Sequence, residues 1–527
     1  MILCAIRAWS ELQDLARFYS SDIDIHTAFL VQGVERVAAL CVEAPHLRVD
    51  TAKQAWGPDV LRAMLAAAEQ VDLASRCGEL LAGGAVNPTE KRSAIHARWR
   101  KRAVGGEASI PASLKAMLDL AEQVRARTDI DDVVHIGIGG SSLGPEMALQ
   151  ALKPFHTARQ RVHVVSNLDG HDLHQTLQGL NPHRTMVVVV SKSWSTTETL
   201  RNAESAISWL RTRVEDIAPQ VVAVSSRPAL AQRMGAGAVL DMPEGMGGRY
   251  SLWSAVGLPL AVAIGAQGFM QLLQGGADMD EHFANMPLRR NAPVLLGLLD
   301  VWNSTLLGLP GRCVVPYHHG LRRLPAFLQQ LEMESNGKRV DLEGQPLPYN
   351  TAGVTWGEVG TNSQHAFFQW LHQGTQGMPL ELLLVKHPEH PLQGHHTALL
   401  ANGLAQAQAL MQGRPAGQGQ LAGHQDFPGN RPSTIIGLDR LNPASLGALL
   451  AMYEHRTFVA GVMWGINPFD QFGVELGKTL SRQLESRLHS GDTSGLDAST
   501  AHWVDWLRSE TCDYQSGVGT TPASQPT

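Results

Sequence analysis

The chain has little that would cross-link it covalently or give it a dominant charge. Its five cysteines, Cys4, Cys41, Cys77, Cys313 and Cys512, are scattered over 527 residues. No two have the spacing of a zinc site or a disulfide framework. An odd, dispersed set of thiols fits a reducing cytoplasm. Charged residues are only 17% of the chain and the formal net charge is -6, so the basic footprint of nucleic-acid binding is missing, as is an acidic tail. Long apolar runs are scarce as well. Residues 1–6 are too short for the core of an export signal, and Arg7, Glu11 and Asp14 follow at once. Residues 251–270 carry no charge and are long enough to test as a membrane span, but Pro259, Gln267 and the glycines lower their hydropathy. The expectation is a buried helix.

What is present centres on Val133-Val-His-Ile-Gly-Ile-Gly-Gly-Ser-Ser-Leu-Gly-Pro145. The β-branched run predicts a buried strand that turns through glycines into a helix whose first turn accommodates Pro145. The backbone amides of Gly139, Gly140, Ser141 and Ser142, at the positive end of a helix dipole, are placed for an anion. A nucleotide P-loop would need lysine where Pro145 stands, which excludes ATP and GTP by that route. A dinucleotide fingerprint fails at Ser142, although Asp169 after the next strand keeps a nicotinamide cofactor as an alternative. The serine hydroxyls favour a small phosphate ester.

Strands predicted at 133–138, 162–165, 186–190 and 221–224 alternate with helices, which predicts an α/β fold with a doubly wound parallel sheet and ligands at the carboxyl ends of its strands. The third strand runs into Ser191-Lys-Ser-Trp-Ser-Thr-Thr-Glu-Thr199, richer in hydroxyls than a helix cap requires. A second alternation, with strands at 313–317 and 380–386 and helices at 395–411 and 443–462, predicts a second such sheet. The first 110 residues read as helical scaffold, and His96, Arg98, Arg100, Lys101 and Arg102 as a solvated helix face. Three polar islands interrupt the second half: Gln330–Lys338, Gly357–Gln369 and Phe469–Lys478. Histidines 387, 390, 395 and 396 lack convincing ligand spacing, so no metal site and no cofactor are assigned.

Taken in order, Gly-Ile-Gly-Gly-Ser, Ser-Lys-x-x-x-Thr-x-Glu-Thr, Gly-Gly-Arg-Tyr-Ser-Leu-Trp-Ser-Ala, Met-Glu-Ser-Asn-Gly-Lys, Gly-Thr-Asn-x-Gln-His-Ala-Phe and Phe-Asp-Gln-x-Gly-Val-Glu-Leu-Gly-Lys resemble the phosphoglucose (glucose-6-phosphate) isomerase family over residues 90–505. The resemblance implies two doubly wound parallel-sheet sugar-isomerase domains flanked by helices. Segments 1–94 (N-terminal helical part of the large domain), 95–262 (small domain), 263–480 (large domain) and 481–527 (a C-terminal helix and tail) are expected. It also implies reversible conversion of D-glucose 6-phosphate and D-fructose 6-phosphate through a cis-enediolate, in glycolysis and gluconeogenesis. Glu334 would be the base, Arg249 would stabilise the enediolate, and His365 and Lys478 would assist ring opening. The phosphate would meet Gly140, Ser141, Ser191, Lys192, Ser193 and Thr196, with Gln330 and Gln471 near the sugar. His365 would reach the site across a homodimer. Many relatives carry Asp at the position of Ser142 and Thr at that of Ser193.

The chemistry agrees with the residue types. Proton transfer between adjacent sugar carbons needs one positioned carboxylate, a cation at the developing oxyanion and an acid or base for ring opening. The set Glu334, Arg249, His365 and Lys478 favours an enzyme over a non-catalytic sugar-phosphate regulator, with a nicotinamide dehydrogenase third. Glu332, two residues from Glu334, is the natural control for the base, expected to tolerate Gln. Residues 496–507 read as a docked amphipathic helix bearing Trp503 and Trp506, and residues 515–527 as a disordered, dispensable tail.

Overall fold

Runs of β-branched residues become strands close to where the sequence places them. In the computed structural model, which describes residues 3–509, eleven strands form: β1 Cys41–Ala44, β2 Leu47–Asp50, β3 Asp132–Ile136, β4 Arg161–Val165, β5 Thr185–Val190, β6 Val221–Val224, β7 Ala238–Leu240, β8 Gly311–Tyr317, β9 Val354–Trp356, β10 Leu380–Val385 and β11 Ser433–Leu438. Cys512 and the expected tail lie outside the described residues. The chain forms two compact units, one ending at Asp470 and the other beginning at Gln471.

The first unit holds both sheets. One is fully parallel, in the order β4-β3-β5-β6-β7. Val133, Val188 and Val190 enter one hydrophobic cluster, whereas Val134, Ile136, Val187 and Val189 enter another with Ala203, Ala206, Ile207 and Leu210 of the Thr197–Arg211 helix. Burial on both faces is why these strands read as unbroken apolar runs. The order of chain connection reverses between β3 and β5, and ligands of open α/β sheets collect outside the carboxyl ends of strands at such a point.

The other sheet has the order β1-β2-β11-β10-β8-β9. Strands β8, β9, β10 and β11 run parallel, but β2 pairs antiparallel with β11 and with β1. The first 110 residues are therefore not purely helical scaffold: a short hairpin, turning at His46 with φ 62°, extends the second sheet. Its four-residue strands were too short to stand out against the flanking helical pattern.

Two long helices pack through the core. In the Leu258–Asn285 helix and the Pro443–Trp464 helix, a Cβ added at Gly275 would lie 1.8 Å from the Ala444 carbonyl oxygen, and one at Gly447 would lie 2.0 Å from that of Leu272. Only glycine permits this approach. The segment Ala255–Asn285 is long and apolar enough to cross a membrane, yet 72% of its most apolar window is buried inside the protein, so it is a core helix.

The solvated face expected at His96–Arg102 holds only in part. His96 and Arg100 are buried. Arg100 donates to both carboxylate oxygens of Asp280 (2.8 and 2.5 Å) and to Glu454 (2.5 Å), while Trp253 Nε1 donates to the other Glu454 oxygen (2.7 Å). The basic run hid this because the compensating acids lie some 180 and 350 residues away. Arg98, Lys101 and Arg102 remain exposed, so the helix is basic outside and ion-paired inside.

In the second unit, helices Glu475–Ser490 and Ala498–Ser509 are described. The C-terminal helix forms as expected, but of its described residues only Val504 is buried, and Trp503 and Trp506 remain 54% and 46% exposed. The tryptophans are thus not docked within that unit.

Candidate active site

Four loops and one irregular helix of the first unit build the site. The β3 strand ends in the loop Gly137–Ser142, where Gly139 takes φ 58°. A Cβ on Gly140 would fall 2.1 Å from the carbonyl carbon of Gly248. The glycine loop therefore lies directly on the backbone leading to Arg249, and Ser251 Oγ donates to the Gly140 carbonyl (3.3 Å).

Not every amide expected to face an anion is available. The Ser141 amide donates to Ile138 (3.2 Å) and that of Ser142 to Gly139 (3.0 Å), closing a tight turn. Ser142 is buried and its hydroxyl also donates to the Gly139 carbonyl (3.2 Å). Ser142 is thus part of the turn, while the Ser141 side chain is partly exposed.

The loop after β5 faces the same switch point. Thr196 occupies the N-cap position of the Thr197–Arg211 helix, yet no side chain caps that helix. Its hydroxyl accepts from Ser191 Oγ at 3.5 Å instead, and Ser193 and Ser195 share a 2.6 Å hydrogen bond. An uncapped 15-residue helix leaves first-turn amides and the positive dipole end for an anion. Trp194, between the hydroxyls, has φ 53°, the kind of backbone outlier that concentrates at functional sites. Lys192 is engaged differently: its ammonium donates to the carbonyls of Glu244 (2.6 Å) and Met246 (3.0 Å), and burial lowers its pKa. It ties the β5 loop to the 244–246 loop that leads to Arg249.

Glu334 ends a π-helical turn, Gln329–Glu334, an irregularity frequent at functional sites. Arg249 Nη1 donates to Glu334 Oε1 (2.8 Å) and Gln330 Nε2 to Glu334 Oε2 (3.0 Å). Gln330 in turn abuts the glycine loop, its Nε2 3.0 Å from where a Cβ on Gly139 would stand. The Arg249 guanidinium is fixed on its other edges by Ser335 Oγ (2.6 Å) and by the carbonyls of Pro468 (2.8 Å) and Asp470 (3.2 Å). Lys338 braces both sides, donating to the Glu334 carbonyl (3.0 Å) and the Asp470 carbonyl (2.7 Å) and pairing with the Asp470 carboxylate (3.1 Å). Desolvation lowers the Lys338 pKa, with Asp470 opposing.

The two neighbouring glutamates differ sharply. The side chain of Glu334 is 25% exposed. That of Glu332 is 9% exposed and receives two hydrogen bonds from Arg312 (2.5 and 2.6 Å) and one from Thr355 (2.6 Å). Glu332 is therefore a buried structural anion, so as a control for the base it is expected to spare turnover while lowering stability.

His365 lies after β9 in the Asn362–His365 turn, exposed, and no hydrogen bond or ion pair among the described residues engages its ring. In the second unit, Gln471 precedes the Phe472–Val474 turn and Lys478, 52% exposed, pairs with Glu475 at 2.8 Å.

A family model of phosphoglucose isomerase matches residues 50–504. The chain belongs to the phosphoglucose isomerase family. It is 49% identical to a glucose-6-phosphate isomerase of Polaromonas naphthalenivorans, with 95% of this chain and 98% of that protein covered, and 47% identical to one of Albidiferax ferrireducens over the same shares. Among solved structures, a glucose-6-phosphate isomerase from Chlamydia trachomatis superposes with a TM-score of 0.87 at 32% identity, covering 96% of this chain and 99% of that one. The matched span contains all six motifs. It also contains residues to which sequence reasoning gave no part: Ser335, Lys338 and Asp470, which hold Arg249 and Glu334, and Tyr250, whose hydroxyl lies 3.1 Å from Ser335 Oγ. All four sit inside the motifs, which was the available signal. Their partners are distant in sequence, so their contacts were not legible there.

Proposed function

We propose that this family member is a glucose-6-phosphate isomerase, interconverting D-glucose 6-phosphate and D-fructose 6-phosphate. The observation that carries the reading is the Glu334 carboxylate held between Arg249 and Gln330 (2.8 and 3.0 Å) beside a loop shaped for an anion. Glu334 takes the proton from C2 of the open-chain aldose and returns it to C1. The negative charge that develops on the enediolate oxygen faces the Arg249 guanidinium, already fixed on three further acceptors, so little reorganisation accompanies the reaction. Ring opening is assigned to His365 and Lys478. The phosphate is assigned to Gly140, Ser141, Ser191, Ser193 and Thr196, with Lys192 as the tie behind them, and Gln330 and Gln471 to the sugar. Phosphate binding, remote from C1 and C2, contributes orientation of the reacting carbons.

The exposed, unengaged ring of His365 supports a homodimer in which each histidine serves the partner's site. A cytoplasmic enzyme fits the scattered thiols. Purified protein should convert fructose 6-phosphate to glucose 6-phosphate, equally with and without a chelator. Binding of the sugar phosphate without turnover would favour a regulator built on the same fold.

A further inference from the structure

Beneath the glycine loop lies a histidine that the proposed mechanism does not use. His135 is the penultimate residue of β3, between Val164 of β4 and Val188 of β5, and is completely buried. Its Nε2 is 2.7 Å from the carbonyl oxygen of Ser141, whereas its Nδ1 is buried without a hydrogen-bond partner. A carbonyl only accepts, so Nε2 carries the hydrogen. We propose that His135 is a positioning residue for substrate phosphate: its Nε2–H pins the Ser141 carbonyl into the protein and thereby sets the loop and the Ser141 hydroxyl toward the anion. This inference rests on the reading that the phosphate lies at this loop.

The turn explains why such a pin matters. A loop that binds an anion must turn its carbonyls away, because a carbonyl oxygen facing a phosphate repels it. In this loop the carbonyls of Ile138 and Gly139 are held by the Ser141 and Ser142 amides, and that of Gly140 by Ser251. The Ser141 carbonyl has no such local donor and receives its hydrogen bond from His135. The loop also folds back tightly, a Cβ on Gly137 lying 2.9 Å from that of Ser141, so rotation of the Ser141 peptide would move the loop as a whole. Burial pushes the His135 pKa down to about 4, which keeps the ring neutral and spares the strand a buried charge.

Three variants test this. His135→Leu fills the space and removes the donor, His135→Asn has a donor too short to reach, and His135→Gln carries one at nearly the reach of Nε2. In the Leu and Asn variants, KM for fructose 6-phosphate and the inhibition constant of inorganic phosphate should rise together by roughly tenfold, the effect of one buried acceptor left unpaired, with kcat little changed. His135→Gln should restore both. Equal impairment by all three would mean that the ring merely fills space, and unchanged constants in folded Leu and Asn variants would also overturn the inference. If the Leu variant does not fold, the contrast between Asn and Gln decides. Ser193→Ala/Thr196→Ala separates the two readings. If that variant weakens phosphate inhibition and the His135 variants do not, only the role of His135 fails. If neither weakens it, the anion binds elsewhere.

Discussion

Replacing Glu334 and Glu332 separately by Gln should dissociate catalysis from stability. The isostere at 334 keeps its size and can still accept a hydrogen bond from Arg249, but it cannot accept a proton from carbon. Turnover should drop by about 10²–10⁴, the usual contribution of a positioned base, or roughly 3–5 kcal/mol of barrier. The stability cost should be smaller, about 1–3 kcal/mol. Glu334 is a quarter exposed, and Arg249 keeps the acceptors Ser335, Pro468 and Asp470. At 332 the order inverts. Its carboxylate takes two hydrogen bonds from the buried Arg312 and one from Thr355, and breaking one side of a buried ion pair costs about 3–5 kcal/mol. Glu332→Gln should thus melt far lower than Glu334→Gln, while its folded fraction still turns over. The assay is proton exchange in deuterated water, followed at the carbon beside the carbonyl, with urea unfolding in parallel. Wild type should incorporate label, and Glu334→Gln should bind substrate and incorporate almost none. Near-normal labelling by that variant would refute Glu334 as the base and move the role to another residue, His365 first.

Four further outcomes follow from the same geometry. Ser193→Ala/Thr196→Ala should raise KM for sugar phosphates by about 0.5–1.5 kcal/mol per lost hydrogen bond, more where the bond is to the charged ester, and unchanged phosphate inhibition would place the ester elsewhere. Gly275→Ala puts a Cβ 1.8 Å from the Ala444 carbonyl and should cost about 1–3 kcal/mol or more, read as a lower Tm; an unchanged Tm would contradict the helix contact. Folding holds His135 and His282 at about 4, against ~6.5 in the unfolded chain, which therefore takes up protons first as pH falls. Their contribution is complete above about pH 6.5 and is lost as pH falls toward 4, by up to about 3 kcal/mol per ring at ~1.4 kcal/mol per pH unit; urea midpoints that stay flat over this window would exclude it. Finally, co-refolding Glu334→Gln with His365→Ala should recover about a quarter of wild-type activity if the histidine acts across a two-fold dimer, because only heterodimers then hold one complete site; no recovery would mean that it acts within its own subunit.

The amino-acid sequence by itself determined the local and the periodic. The β-branched runs at 133–136, 185–190 and 221–224 admit little but strands buried on both faces, and the glycines after Ile136 admit a turn that no bulkier chain could make. The hydroxyl-rich loop after β5 and the polar island around Glu334 were legible for the same reason: each is a short stretch whose composition carries its chemistry. Tertiary structure decided everything that depends on a distant partner. Glu332 and Glu334 are equivalent on paper, and only Arg312 of β8, Thr355 of β9 and Arg249 make one structural and leave the other facing the site. Arg100 reads as a surface cation until Asp280 and Glu454 arrive from two other helices. Lys192 reads as a cation in the sequence, and only the fold shows two carbonyls of the 244–246 loop engaging its ammonium. Charge in a sequence states what a side chain carries; its burial and pairing are set by elements hundreds of residues apart, and the cost of leaving a buried charge unpaired is what holds those elements together.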